Sequence, residues 1–202
     1  ILREDERTAL STTINSFGEK IFRKYRTLLV YGDGKLYYEQ EPKLKSSQDN
    51  TDQLFVSKAL TNIYAGTWQS DPWPCDLERP QLEEGYQQND AVEIQCLDVI
   101  RILCEQGIFP TLSVTKEQLE NVLGKKKNAK CSLSLLYAVY MVFLQLRGKD
   151  SYYNFEEQVL FGLTILRQYP SIAKEYQMHY EHVLVDELQD FTPAQSALFL
   201  IL

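Results

Sequence analysis

The chain has 202 residues, is 44% hydrophobic and carries 21 Lys and Arg against 28 Asp and Glu, for a formal charge of −7. That apolar content supports one sizeable core or two small ones and excludes a disordered chain. The negative balance excludes tight nucleic-acid binding by the chain on its own, because such binding draws mainly on Lys and Arg against phosphate.

The four cysteines, Cys75, Cys96, Cys104 and Cys131, form no C-x-x-C pair, which argues against zinc and for a reducing, intracellular setting, cytoplasmic or nuclear. His179 and His182 lie three apart but flank a helix-to-strand junction without a nearby cysteine, and read as ordinary junction residues. The opening residues, Ile1-Leu2-Arg3-Glu4-Asp5-Glu6-Arg7, are charged where a secretory signal needs an apolar core. With Ile at position 1, and an apolar run from Leu198 to Leu202 too short to span a bilayer and lying inside an expected helix, the chain reads as a fragment.

In chain order, Leu10, Ile14, Phe17 and Ile21 predict an amphipathic helix over residues 4–24. Residues 28–38 turn apolar and aromatic around Gly32-Asp33-Gly34, which predicts a hairpin or two short strands. Residues 42–52 read as a polar loop, and Asp52 is expected to cap a helix running to about Tyr64 and ended by Gly66. Trp68 and Trp73, among Pro72 and Pro74, read as a linker packed onto a core in preference to a base-stacking platform. Asp90 with Glu93 opens a helix that stops at Gly107, and Thr115 with Gln118 opens another ended by Gly124. The cluster Lys125, Lys126, Lys127 and Lys130 reads as a solvated loop more readily than as a phosphate contact. Leu135, Leu136, Val139, Tyr140, Phe143 and Leu146 then form a stripe suited to a helical subdomain.

The chemistry concentrates near the end. His182-Val183-Leu184-Val185 reads as a buried parallel strand that runs straight into Asp186 and Glu187. Open α/β sheets bind ligands at the carboxyl ends of such strands, so the two carboxylates fall where phosphoryl transfer needs them. One can anchor Mg²⁺, usually through water, while its neighbour positions or deprotonates the attacking water. Thr192, Pro193 and Gln195 add a helix start: hydroxyl N-cap, proline at the first helical position, and Gln closing a capping box.

The segment V-D-E-L-Q-D-F-T-P-A-Q, residues 185–195, resembles Walker B, or motif II, of the UvrD/Rep type of superfamily 1 helicases, whose usual form is V-D-E-F-Q-D-T followed by a Gln. Leu188 and Phe191 depart from the commonest residues, while the D-E-x-Q-D core is intact. Asn154-Phe155-Glu156-Glu157-Gln158-Val159-Leu160 looks like the D-F-D-D-L-L stretch that precedes motif II in that family. Leu166, Tyr169-Pro170, Tyr176-Gln177 and Tyr180 fall at matching places between the two, so the resemblance covers residues 132–202.

The resemblance implies an α/β fold, part of a RecA-like P-loop NTPase domain with a largely helical inserted subdomain. Residues 1–74 would be an N-terminal helix and hairpin segment, 75–180 the inserted subdomain, and 181–202 the RecA-like strand, Walker B motif and following helix. It implies ATP and Mg²⁺ as cofactors, with Asp186 coordinating Mg²⁺ through water, Glu187 activating the hydrolytic water, and Gln189 linking nucleotide state to a neighbouring domain. Asp190 would orient the loop, whereas the capping role of Gln195 accounts for that residue without any function. The implied partner is single-stranded or duplex nucleic acid, DNA before RNA, reached through the complete parent protein, with no membrane. No Walker A loop is present: in Gly32-Asp33-Gly34-Lys35 the glycines are too close and Leu36 follows the lysine. The chain alone is therefore expected to be inactive. The alternative is a helicase-derived interaction or regulatory domain without catalysis, and a Gly-Lys-Thr or Gly-Lys-Ser loop upstream of Ile1 would decide between the two.

Overall fold

The computed structural model describes residues 11–30, 37–38, 40–44, 51–68, 73, 76–80, 82, 89–110, 114–124 and 131–202. Among them are eight α-helices: α1 (Ile14–Tyr25), α2 (Thr51–Tyr64), α3 (Asp90–Glu105), α4 (Lys116–Leu123), α5 (Leu133–Lys149), α6 (Phe155–Gln168), α7 (Pro170–His179) and α8 (Pro193–Ile201). Two two-residue strands, β1 (Lys43–Leu44) and β2 (Tyr152–Tyr153), pair in parallel with Lys43 opposite Tyr152. The described architecture is thus helix-rich with one small parallel sheet. Leu10, the turn residues Gly32, Asp33 and Gly34, residues 45–50 of the polar loop, and Lys125, Lys126, Lys127 and Lys130 lie outside the described residues.

Local chemistry sets the helix ends. Thr115, Asn154 and Thr192 each close a capping box, with Gln118, Glu157 and Gln195 reaching back to the cap backbone. Pro170 and Pro193 occupy first helical positions, where the missing N–H costs nothing. Gly66 and Gly107 follow α2 and α3 at φ +66° and +67°, a left-handed turn that glycine adopts without strain. Three starts differ from expectation. The first helix begins at Ile14 because the Thr13 hydroxyl accepts from Ser16 N and caps it there. Asn89, not Asp90, caps α3, its side chain accepting from the Ala91 and Val92 amides. Asp52 lies inside the first turn of α2, which begins at Thr51.

Helix α5 runs through the centre of the molecule. Every residue from Leu135 to Leu144 is buried, so the expected one-sided stripe is an all-round apolar surface. It packs against α2, α3 and α4, while α6 carries α1, α7 and α8. An aromatic cluster fills the space beside α6, with Phe22 stacked at 5.0 Å and Tyr37 at 5.2 Å from the Phe161 ring. Tyr37 donates its hydroxyl to the Leu144 carbonyl at 2.6 Å, and its N–H to the Leu29 carbonyl at 2.9 Å, which joins the flanks of the segment expected to form a hairpin. Trp73 is buried, donates Nε1–H to the Leu77 carbonyl at 2.7 Å and packs edge-on to Trp68 and Tyr137, as expected for a linker held on a core.

Helices α1 and α6 cross at Gly18 and Gly162. A Cβ on Gly162 would stand 2.7 Å from the Gly18 carbonyl oxygen, and one on Gly18 would stand 2.8 Å from the Gln158 carbonyl oxygen. Two backbones in direct contact leave no room for either methyl, so α1 is seated rigidly on α6.

The strand expected at residues 182–186 does not form. Residues 182–185 carry no ladder with any described residue, and Leu184 is 95% exposed and Val183 38% exposed where burial was expected. An apolar strand is stable only with neighbours to take its N–H and C=O groups and layers to cover both faces. Here α7 and α8 hold its two ends, and no described strand runs alongside it.

Candidate active site

Helix α7 ends where Tyr180 takes extended backbone and its ring packs edge-on to Phe17 at 6.0 Å. From there the chain crosses the surface through residues 181–187 and enters a single 3-10 turn, Leu188–Asp190, before α8 begins. Asp186, Glu187, Gln189 and Asp190 all stand exposed in this one loop. Sequence reasoning placed them together, and they are together, on a loop instead of a strand end.

Hydrogen bonds within the loop fix its shape. One Asp186 carboxylate oxygen accepts from the Glu187 amide at 3.0 Å, so the other remains available. The Gln189 amide nitrogen donates to a Glu187 carboxylate oxygen, and the Asp190 N–H donates to the Glu187 carbonyl at 2.9 Å. Glu187 itself adopts φ +52° and ψ +38°, the left-handed region. A residue with a Cβ pays about 1–2 kcal/mol for that conformation, and such strain gathers at functional sites when the surroundings enforce it. Glutamate carries no turn signature that would have announced it; Gly, Asn or Asp would have.

Neither the Asp186 nor the Glu187 carboxylate forms an ion pair with a cation among the described residues. Gln195 faces elsewhere: its carbonyl oxygen accepts from the Thr192 N–H at 2.8 Å and its amide donates to Asn15 Oδ1 at 2.8 Å.

The model for the UvrD/REP helicase N-terminal domain matches residues 2–202. The chain belongs to that family. Among curated proteins it is similar to an ATP-dependent helicase/nuclease subunit of Streptococcus equi subsp. zooepidemicus (strain MGCS10565), 30% identical over 104 residues, which are 46% of this chain and 9% of that protein. The ATP-dependent helicase/nuclease subunit of the same name in Streptococcus pyogenes serotype M5 (strain Manfredo) is 31% identical over 102 residues, 47% of this chain and 8% of that protein. The chain thus spans less than a tenth of the length of these relatives. No solved structure matches it. Among the described residues no helix is long and apolar enough to cross a membrane.

Proposed function

We propose that this chain supplies the Mg²⁺-binding and water-activating carboxylates of an ATP-driven helicase or translocase that acts on nucleic acid. The observation that carries the reading is the pair Asp186 and Glu187, adjacent, exposed and free of cationic partners among the described residues, in a chain that the helicase family matches from residue 2 to 202. Family membership and the names of the relatives support ATP as the fuel and DNA as the polymer. In this reading residues 75–180 are the helical subdomain inserted before the carboxylate pair, and residues 181–202 belong to a RecA-like layer whose neighbouring strands give 182–185 its ladder.

The donor set fits Mg²⁺, a hard cation that takes one or two carboxylates and fills its other positions with water and phosphate oxygens. Among the described residues no group of three His, Cys, Asp or Glu could hold a metal by itself, which suits an ion shared with nucleotide phosphates. Asp186, through the oxygen not engaged by the Glu187 amide, would hold it. The bound ion supplies charge neutralisation on the β- and γ-phosphates. Glu187 accepts the proton of the attacking water and orients it, and Gln189 keeps the Glu187 carboxylate in place until nucleotide arrives.

The test is Mg²⁺-dependent phosphate release by the full-length protein, with and without single-stranded DNA. Asp186→Asn is expected to raise the Mg²⁺ concentration for half-maximal turnover by at least about tenfold, the usual scale for a weakened ligand set. An unchanged Mg²⁺ curve would remove Asp186 from the metal site. The 202-residue chain expressed alone is expected to show neither ATP turnover nor tight DNA binding, since it contains no phosphate loop and carries a charge of −7 against a polyanion. DNA-stimulated turnover by the isolated chain would place the nucleotide site elsewhere.

A further inference from the structure

The Gln195 side chain does two jobs with its two ends. Its oxygen closes the capping box on Thr192 N, which leaves its NH₂ to donate to Asn15 Oδ1 at 2.8 Å, across 180 residues of chain. Asn15 has no comparable duty at home. The cap of α1 is Thr13, whose hydroxyl accepts from Ser16 N at 3.1 Å, and an asparagine just inside a helix is a poor helix former. Its carbonyl is therefore committed to the contact with α8.

That contact sits between two differently ordered regions. On one side α1 is locked to α6 through Gly18 and Gly162, and α6 also supports α8. On the other side the carboxylate loop is exposed and held by bonds among its own residues, so its geometry at the exit depends on where α8 starts. Gln195 lies in the first turn of α8, five residues after Asp190.

We propose that Asn15 is a positioning residue for the carboxylate pair: with Gln195 it ties the first turn of α8 to the rigid α1–α6 crossing and so fixes the exit of the loop that bears Asp186 and Glu187. The inference rests on the hydrolytic reading above. Displacing a reacting group by about 1 Å can cost up to about 10²-fold in rate, so a loosened tether acts on turnover before it acts on substrate affinity.

Two variants break the tether from opposite sides. Asn15→Ala removes the acceptor, and Gln195→Glu removes the donor while keeping an oxygen for the Thr192 cap. In the full-length protein each is expected to lower kcat by about tenfold, with KM for ATP and Tm nearly unchanged. Asn15→Asp, which keeps an acceptor at the same place, is expected to restore kcat to within about twofold of wild type when Gln195 is present. Combined with Gln195→Glu it sets two carboxylates face to face and should be the slowest of the series.

Glu187→Gln is measured beside them. If it loses hydrolysis while Asn15→Ala and Gln195→Glu turn over like wild type, the tether has no catalytic role and the hydrolytic reading stands. A fall in kcat that tracks a fall in Tm and is not restored by Asn15→Asp also overturns the proposal, because it marks a purely structural contact. If Glu187→Gln itself turns over normally, the hydrolytic reading and the tether fall together.

Discussion

Glu187→Gln in the full-length protein is expected to keep ATP binding and to lower hydrolysis by about 10²–10⁴-fold, the range for loss of a general base. The amide matches the carboxylate in size, and its oxygen can still accept from Gln189, so the loop keeps its shape while the proton acceptor is lost. Glu187 also sits at φ +52°, which gives a second, independent variant. Glu187→Gly relieves the left-handed strain and should raise stability by up to about 1 kcal/mol, yet leave hydrolysis as low as in the Gln variant. Phosphate release together with nucleotide binding by fluorescence separates the two effects. Wild-type turnover in Glu187→Gln would remove Glu187 from the chemistry; recovery of turnover in Glu187→Gly would show that backbone shape, not the carboxylate, is what matters.

Helix boundaries were legible wherever one or two neighbouring residues decide them. Thr115 with Gln118, Thr192 with Pro193 and Gln195, and Gly66 and Gly107 all act through bonds or dihedrals within a few residues, so the sequence alone locates the ends they set. Where two caps compete, as at Asn89 and Asp90, composition does not choose between them; the residue that takes extended backbone wins, and that is Asn89. The candidate site was legible as chemistry, since Asp186, Glu187 and Gln189 stand in one loop, but not as geometry. An apolar run signals a strand only on the assumption that partners flank it, and the run at 182–185 has no described partner.

Long-range features left weaker traces. The crossing at Gly18 and Gly162 pairs two glycines 144 positions apart in helices that glycine normally weakens, and nothing local says that each is there to admit the other's backbone. The all-round burial of α5 follows from having α2, α3 and α4 on its surface, which the count of apolar residues suggested only as a stripe. Glu157 was noticed for its likeness to a family motif, yet its first duty in the structure is to close a capping box and meet a buried arginine. Arg147 itself, inside the most apolar helix, drew no attention because a single charge near a helix end is ordinarily a solvated one.

Arg147→Met is expected to destabilise the fold by about 3–5 kcal/mol, equivalent to roughly 6–20 °C in Tm for a chain of this size, because it strands a buried carboxylate. The Arg147 side chain is 2% exposed and that of Glu157 is 0% exposed, and they meet at 2.9 Å from Nη2 to Oε2. The second guanidinium nitrogen bonds Asp52 in α2, and the guanidinium lies 5.4 Å from the Phe143 ring centre and 5.8 Å from that of Phe55. One cation thus joins α2, α5 and the start of α6. Burial pushes the Glu157 carboxyl up, and Arg147 and the Asn154 N–H at 2.7 Å oppose that rise. Removing Arg147 takes away the larger of these two restraints, so in the variant the carboxyl rises further above its unfolded value. A carboxyl raised in the folded state penalises folding when ionised, and the penalty shrinks as pH falls toward the unfolded value. The Tm difference between wild type and Arg147→Met should therefore narrow as the pH is lowered from about 8 to about 5. Adding Glu157→Gln to Arg147→Met removes the stranded charge while leaving an oxygen to accept from Asn154 N–H, and should recover most of the loss. Thermal unfolding of the three proteins across that pH range checks the argument: a single variant within about 1 kcal/mol of wild type, with a gap that does not move with pH, would mean that water reaches Glu157 and the cluster is not a buried one.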